Sequence, residues 1–164
     1  MRVSLFVAGL LCVAAFGAPK AVEAHGFTYW LGNSQLVVEG GRALNRGDIA
    51  RAIDLTRRAL EIDLTFNDEF SAYNNLCVAY SSLSLFDIAL DYCDRALSMR
   101  NDWRALNNRA NAKLGMGKID EAIKDYRTAL SMKPNAKVLQ SNLALALERK
   151  KLGLPATVPK RSGV

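Results

Sequence analysis

The feature that most constrains this chain is a repeat. Aligning Ala52, Ala89 and Ala122 brings three segments into register, 37 and then 33 residues apart. Each closes on an alanine–leucine pair, in "RRALEID", "DRALSMR" and "RTALSMK", which superposes Ala59, Ala96 and Ala129. Upstream, Gly40, Cys77 and Ala110 coincide. The copies are residues 33–69, 70–102 and 103–136, and a truncated fourth follows, with Leu143 and Ala144 where Arg109 and Ala110 stood. A period of this length marks a stacked array, in which one unit cannot bury its own apolar face but several together bury a continuous core.

Each copy reads as two helices. Tyr73, Leu76, Cys77, Tyr80 and Leu83 recur at helical spacing, as do Ile88, Ala89, Tyr92, Cys93 and Ala96. Asn67 and Asn101 are expected to cap the first helices, and Asp48 and Asp87 the second. "NRGD" and "GMGK" supply turns between helices, and Pro134 closes the third copy. The prediction is an all-α fold, a helix–turn–helix solenoid of three repeats at 33–136 with a capping helix at 137–152. Arg149, Lys150 and Lys151 are expected to face water at its end.

With these residues in place, the chain resembles the tetratricopeptide repeat family. Gly40, Cys77 and Ala110 fall at the small position of the first helix. Ala52, Ala89 and Ala122 fall at that of the second, and Ala59, Ala96 and Ala129 at the contact with the next repeat. Three positions depart from the pattern: Glu39 and Arg109 stand where a large apolar residue is usual, and Thr56 where an aromatic is expected. The resemblance implies that the first helices line a concave groove. Asn74, Asn75 and Val78 of the second copy, Arg104, Asn107, Asn108 and Asn111 of the third, and Asn142 of the cap would then point into it. Amides donate and accept at once, which suits clamping the backbone of an extended peptide. The alternative role for these asparagines is to order the groove itself. Val37, Val38 and Gly41 lack the lysine and asparagine of a full carboxylate clamp, so that arrangement is not expected.

Residues 1–24 read as a secretory signal, a short basic start followed by an apolar run and small residues before His25. Cleavage is expected after Ala24, leaving residues 25–32 as a lead-in. The apolar run at 3–18 falls short of the roughly 20 residues of a spanning helix, and membrane contact is expected only if the segment stays uncleaved. Whether residues 26–32 pack into the groove is left open by the sequence. The localisation expected is exported, periplasmic or secreted. Cys77 and Cys93 remain after cleavage, an even count in a disulfide-permissive compartment, and pairing between them is weighed equally against two small buried apolar residues.

The formal net charge is +6, but acids and bases balance between His25 and Glu148. The excess lies in Arg149, Lys150, Lys151, Lys160 and Arg161, toward a basic tail at 153–164. That distribution does not suit phosphate binding, so no nucleic-acid partner is expected. His25 has no second histidine with which to build a copper site, and "GMGK" lacks the pattern of a phosphate loop. No cofactor, metal or catalytic residue is expected. The function expected is a non-catalytic scaffold that binds a protein or extended peptide in its concave groove. The alternative is a structural docking or oligomerisation subunit of a periplasmic or envelope complex, using its convex surface.

Overall fold

The computed structural model describes residues 34–154 and, as backbone, two short strands, β1 (Val22–Ala24) and β2 (Phe27–Tyr29). The expected signal segment through residue 21 and the tail from 155 onward lie outside the described residues. Seven helices follow the strands: α1 (Gln35–Asn45), α2 (Ile49–Ala59), α3 (Phe66–Ser82), α4 (Phe86–Met99), α5 (Trp103–Gly115), α6 (Ile119–Met132) and α7 (Lys137–Lys151). They pair as α1/α2, α3/α4 and α5/α6, with α7 laid against the last pair. The fold is an all-α helix–turn–helix solenoid. No described helix is long and apolar enough to cross a membrane.

The core follows the alignment. Ala59 packs with Val37 and Ala72, Ala96 with Phe70 and Ala105, and Ala129 with Leu106 and Leu139. Each of these alanines is completely buried. They are the points where the second helix of one repeat meets the first helix of the next, and a methyl group lets the two backbones close up. Within each repeat, residues 16 apart come together across the two helices. A Cβ on Gly40 would collide with Thr56 Oγ1, so a side chain there would force Thr56 to shift. At the equivalent place in the second repeat, Cys77 and Cys93 form a disulfide with 5.1 Å between Cα atoms. In the third, Ala110 lies with Tyr126 in one buried cluster. Thr56 thus departs from the aromatic pattern together with its partner Gly40.

The Cys77–Cys93 pair shows where counting outward from the turn misleads. Antiparallel helices joined near Ser84 would set Cys77 opposite a residue close to Ala89, one turn short of Cys93. The two helices instead meet at the 77/93 level, as they do at 40/56, and the Cα separation lies in the ordinary range for a bridge.

All three intra-repeat turns use one left-handed residue, Gly47 (φ 75°), Ser84 (φ 59°) and Gly117 (φ 80°). Each turn is closed by the same pair of backbone bonds, such as Leu85 N–H to Tyr80 O at 2.9 Å and Ser84 N–H to Ser81 O at 3.0 Å. Glycine suits the conformation without cost, whereas serine adopts it against its steric preference.

Helix starts differ from expectation in three of four places. Asp48 caps α2 by accepting from Arg51 N–H. At α3, Thr65 caps and Asn67 already lies inside the helix, which begins four residues before the repeat boundary at residue 70. At α5 the cap is Asp102, accepting from Arg104 N–H at 2.8 Å, rather than its neighbour Asn101. Asp87 sits in the first turn of α4, where a carboxylate favours the helix dipole without capping.

The Arg109 departure is resolved by an ion-pair network. Its guanidinium donates to both carboxylate oxygens of Asp125 on α6, at 2.8 and 2.9 Å, and to Asp94 on α4 at 2.8 Å. Lys113 adds a third bond to Asp125. Hydrogen bonding to Asp125 holds the guanidinium even further into its charged state than usual. Arg109 thus ties the second repeat to the third through charge, where an apolar side chain would do so by packing. Arg149 also differs from expectation: Lys150 and Lys151 are exposed, but Arg149 turns inward and is 7% exposed.

Two stability measurements check this account. A Cys77→Ala, Cys93→Ala double variant should lose about 2–3 kcal/mol in denaturant unfolding, as expected for opening a loop of this size. Ser84→Gly should gain about 0.5–1 kcal/mol, the relief of a left-handed serine less the added freedom of the unfolded chain.

Candidate functional site

The expected groove residues divide into distinct environments. Asn74, Asn75, Asn107 and Asn108 are at most 1% exposed. Asn108 Nδ2 donates to Asn74 Oδ1 at 2.9 Å, linking α5 to α3. Asn142 Nδ2 donates to Asn107 Oδ1 at the same distance, linking α7 to α5. These are one bond made twice, because Asn142 aligns with Asn108, and Asn107 with Asn74. The doubled asparagine then has a physical reason. Its second member reaches back to the previous repeat, and its first receives the amide of the next.

The ends of the ladder fit this logic. The cap has nothing to receive, and it carries serine before its single asparagine, as Ser141 and Asn142. In α1 the equivalent places hold Val37 and Val38, so the ladder starts at Asn74. Asn111 joins from the side, accepting from the Tyr126 hydroxyl and, at 3.4 Å, from Asn142 Nδ2. Burial raises the Tyr126 phenol well above its usual pKa, so it remains a donor across the working pH range.

Val78 belongs elsewhere. It packs with Ala43, Leu44, Ala52 and Ala79 in the core between the first two repeats, and is 4% exposed. Arg104 is half-buried near the start of α5, its guanidinium 4.4 Å from the centre of the Trp103 ring and 3.9 Å from Asp102. Arg100, which the sequence did not single out, lies at the same 3.9 Å from Asp102 Oδ2. It donates to Asn67 Oδ1 and stacks 3.9 Å from the Phe70 ring centre. The two arginines place positive charge beside the α3–α5 junction. The signal for Arg100 was weak, one arginine in a short connection. Among the described residues, no cluster of three or more histidine, cysteine, aspartate or glutamate side chains is arranged to hold a metal.

One further element lies here. β2 runs against α3 and α5, the two helices joined by the Asn74–Asn108 bond. β1 pairs with it antiparallel, with Glu23 opposite Thr28.

Comparison with known proteins supports this architecture. Residues 70–102 and 103–136 each match a family model described as tetratricopeptide repeat. These are tetratricopeptide repeats. The chain is 30% identical over 106 residues to heat shock protein STI1 of Saccharomyces cerevisiae, a match covering 64% of this chain and 18% of that protein. Of solved structures, the first tetratricopeptide domain of Spaghetti (RPAP3), bound to the HSP90 peptide SRMEEVD, superposes with a TM-score of 0.63 at 25% identity, covering 71% of this chain and 90% of that one. The myosin chaperone UNC-45 from C. elegans, in complex with an Hsp90 peptide, gives 0.66 at 25% identity, covering 76% and 14%.

The ladder is open to a direct test. Asn74→Ala and Asn108→Ala should each cost about 1–2 kcal/mol, since each leaves a buried amide short of a partner. In urea unfolding the double variant should lose about 1 kcal/mol less than the sum. Strictly additive losses would show that the bond contributes nothing to joining the repeats.

Proposed function

We propose that this chain is a non-catalytic binding scaffold that holds an extended polypeptide in its concave groove, and that it works in an exported compartment. The observation that carries the reading is the juxtaposition of an extended backbone, β2, with the paired first helices and their amide ladder. A groove that accepts one strand has the width for a strand, and amides can meet backbone groups whatever the side chains. The peptide complexes of the Spaghetti and UNC-45 domains support the same mode of use. Arg100 and Arg104 would favour an acidic partner. Val37, Val38 and Gly41 on α1 offer no cationic group, so the reading is a backbone clamp with one basic corner and not a full carboxylate clamp. The buried Cys77–Cys93 disulfide supports export, because such bonds persist where thiols are not kept reduced.

A second reading, docking through the outer surface, rests on Leu83, Leu85 and Ile88. These side chains cluster around the α3–α4 turn and are 42–47% exposed.

Panning a phage-displayed random peptide library against the full chain separates the two. Selected peptides should lose roughly tenfold in affinity on Arg104→Glu, equivalent to one charge-assisted contact. They should lose affinity on Asn75→Ala as well and be indifferent to Ile88→Asp, with helicity and melting held as controls. The reverse pattern would move the site to the α3–α4 edge.

A further inference from the structure

The floor of the groove is covered. Ser71, Asn74, Asn75, Asn107 and Asn108 are at most 3% exposed. In a stacked array the first helices have neighbours along the array and second helices behind them, but no helix on their concave side. Apart from α4, which packs behind them, the described element that lies against both α3 and α5 is β2. Its sequence, Phe27–Thr28–Tyr29, consists of strong strand formers, and residues 30–33 join it to Ser34 at the foot of α1. A tether so short holds the segment near the groove at an effective concentration in the millimolar range.

We infer that Phe27–Tyr29 is an intramolecular occupant of the concave groove, which any outside peptide must displace. The inference rests on the reading of the groove given above and adds a regulator to it. The apparent affinity for a partner is the intrinsic affinity reduced by the fraction of molecules in which the groove is empty. Processing bears on this directly. The expected cleavage after Ala24 falls between the two strands and removes β1, the strand that pairs with β2. Of its contacts among the described residues, β2 then keeps those with the helices, and the backbone groups that paired with β1 need a new partner.

Two measurements decide it. The full chain, with Thr28 replaced by p-benzoylphenylalanine and irradiated at high dilution, should crosslink within itself to proteolytic fragments from α3 or α5. Crosslinks confined to α2, α4 or α6, or none at all, would overturn the proposal. Next, the synthetic peptide HGFTYWLGN, the chain's own residues 25–33, is titrated by fluorescence anisotropy into the intact protein and into a variant lacking residues 25–32. The variant should bind it at least roughly tenfold more tightly, the factor expected if the groove is empty a tenth of the time or less. Equal affinities would overturn the proposal. Thr28→Pro, which removes a strand N–H while keeping the chain length, should shift affinity the same way and guards against a folding artefact of the deletion. The library selection stands apart from both measurements. A chain that crosslinks to α3 and α5 yet selects no outside peptide keeps a self-occupied groove and loses the scaffold reading.

Discussion

The close approach of the two helices within each repeat governs the rest of this molecule. Three chemically different pairs satisfy it: glycine against threonine at 40 and 56, a disulfide at 77 and 93, and alanine beside tyrosine at 110 and 126. In each case a first-helix residue with little or no side chain lets the second helix settle against it. The alanines at 59, 96 and 129 then repeat the device between units. Because the second helices are held so close, the first helices keep one face turned away from the core, and that face is free to carry polar chemistry.

That polar chemistry is the amide ladder. A row of buried asparagines would destabilise the array if the amides were unmatched, since a buried polar group without a partner costs more than a hydrogen bond returns. Here the same group solves the problem at both joints from the second repeat to the cap, because the donor of one unit meets the acceptor of its neighbour. The bond also fixes register, since slippage at either joint would break the link there. Arg109 acts in the same direction by a longer range force, joining the helices on either side of α5 through two carboxylates. The joints between the second repeat, the third and the cap therefore combine apolar packing with directional bonds, and such bonds admit few alternative arrangements.

Much of this was legible in the sequence because it rests on periodicity. The alanines that had to be small are small at every copy, and the helix pairs fall where the alignment puts them. What escaped is what depends on three-dimensional angles or on choices between neighbours. Capping by Asp102 and not by Asn101 turns on one residue of chain direction. The inward turn of Arg149 depends on the face of α7 that meets α6. The level at which Cys77 meets Cys93 depends on where the helices cross, which a count from the turn does not contain. The two jobs of the adjacent asparagines were hidden for the same reason, because identity at a position does not disclose the direction in which an amide points. The placement of β2 had a signal, the three strand-forming residues Phe27, Thr28 and Tyr29, but its landing site is a property of the groove.

The disulfide gives the chain a mechanical asymmetry. Under tension applied at its two ends, a solenoid unravels unit by unit, because each unit is held only by its neighbours. Here the unravelling front meets a covalent stop in the middle repeat. The loop between Cys77 and Cys93, 16 residues in sequence, corresponds to roughly 55 Å of extended chain that the force cannot draw out while the bond holds. A pulled molecule would therefore come to rest shorter than its residue count allows, with the turn at Ser84 still closed inside the bridge.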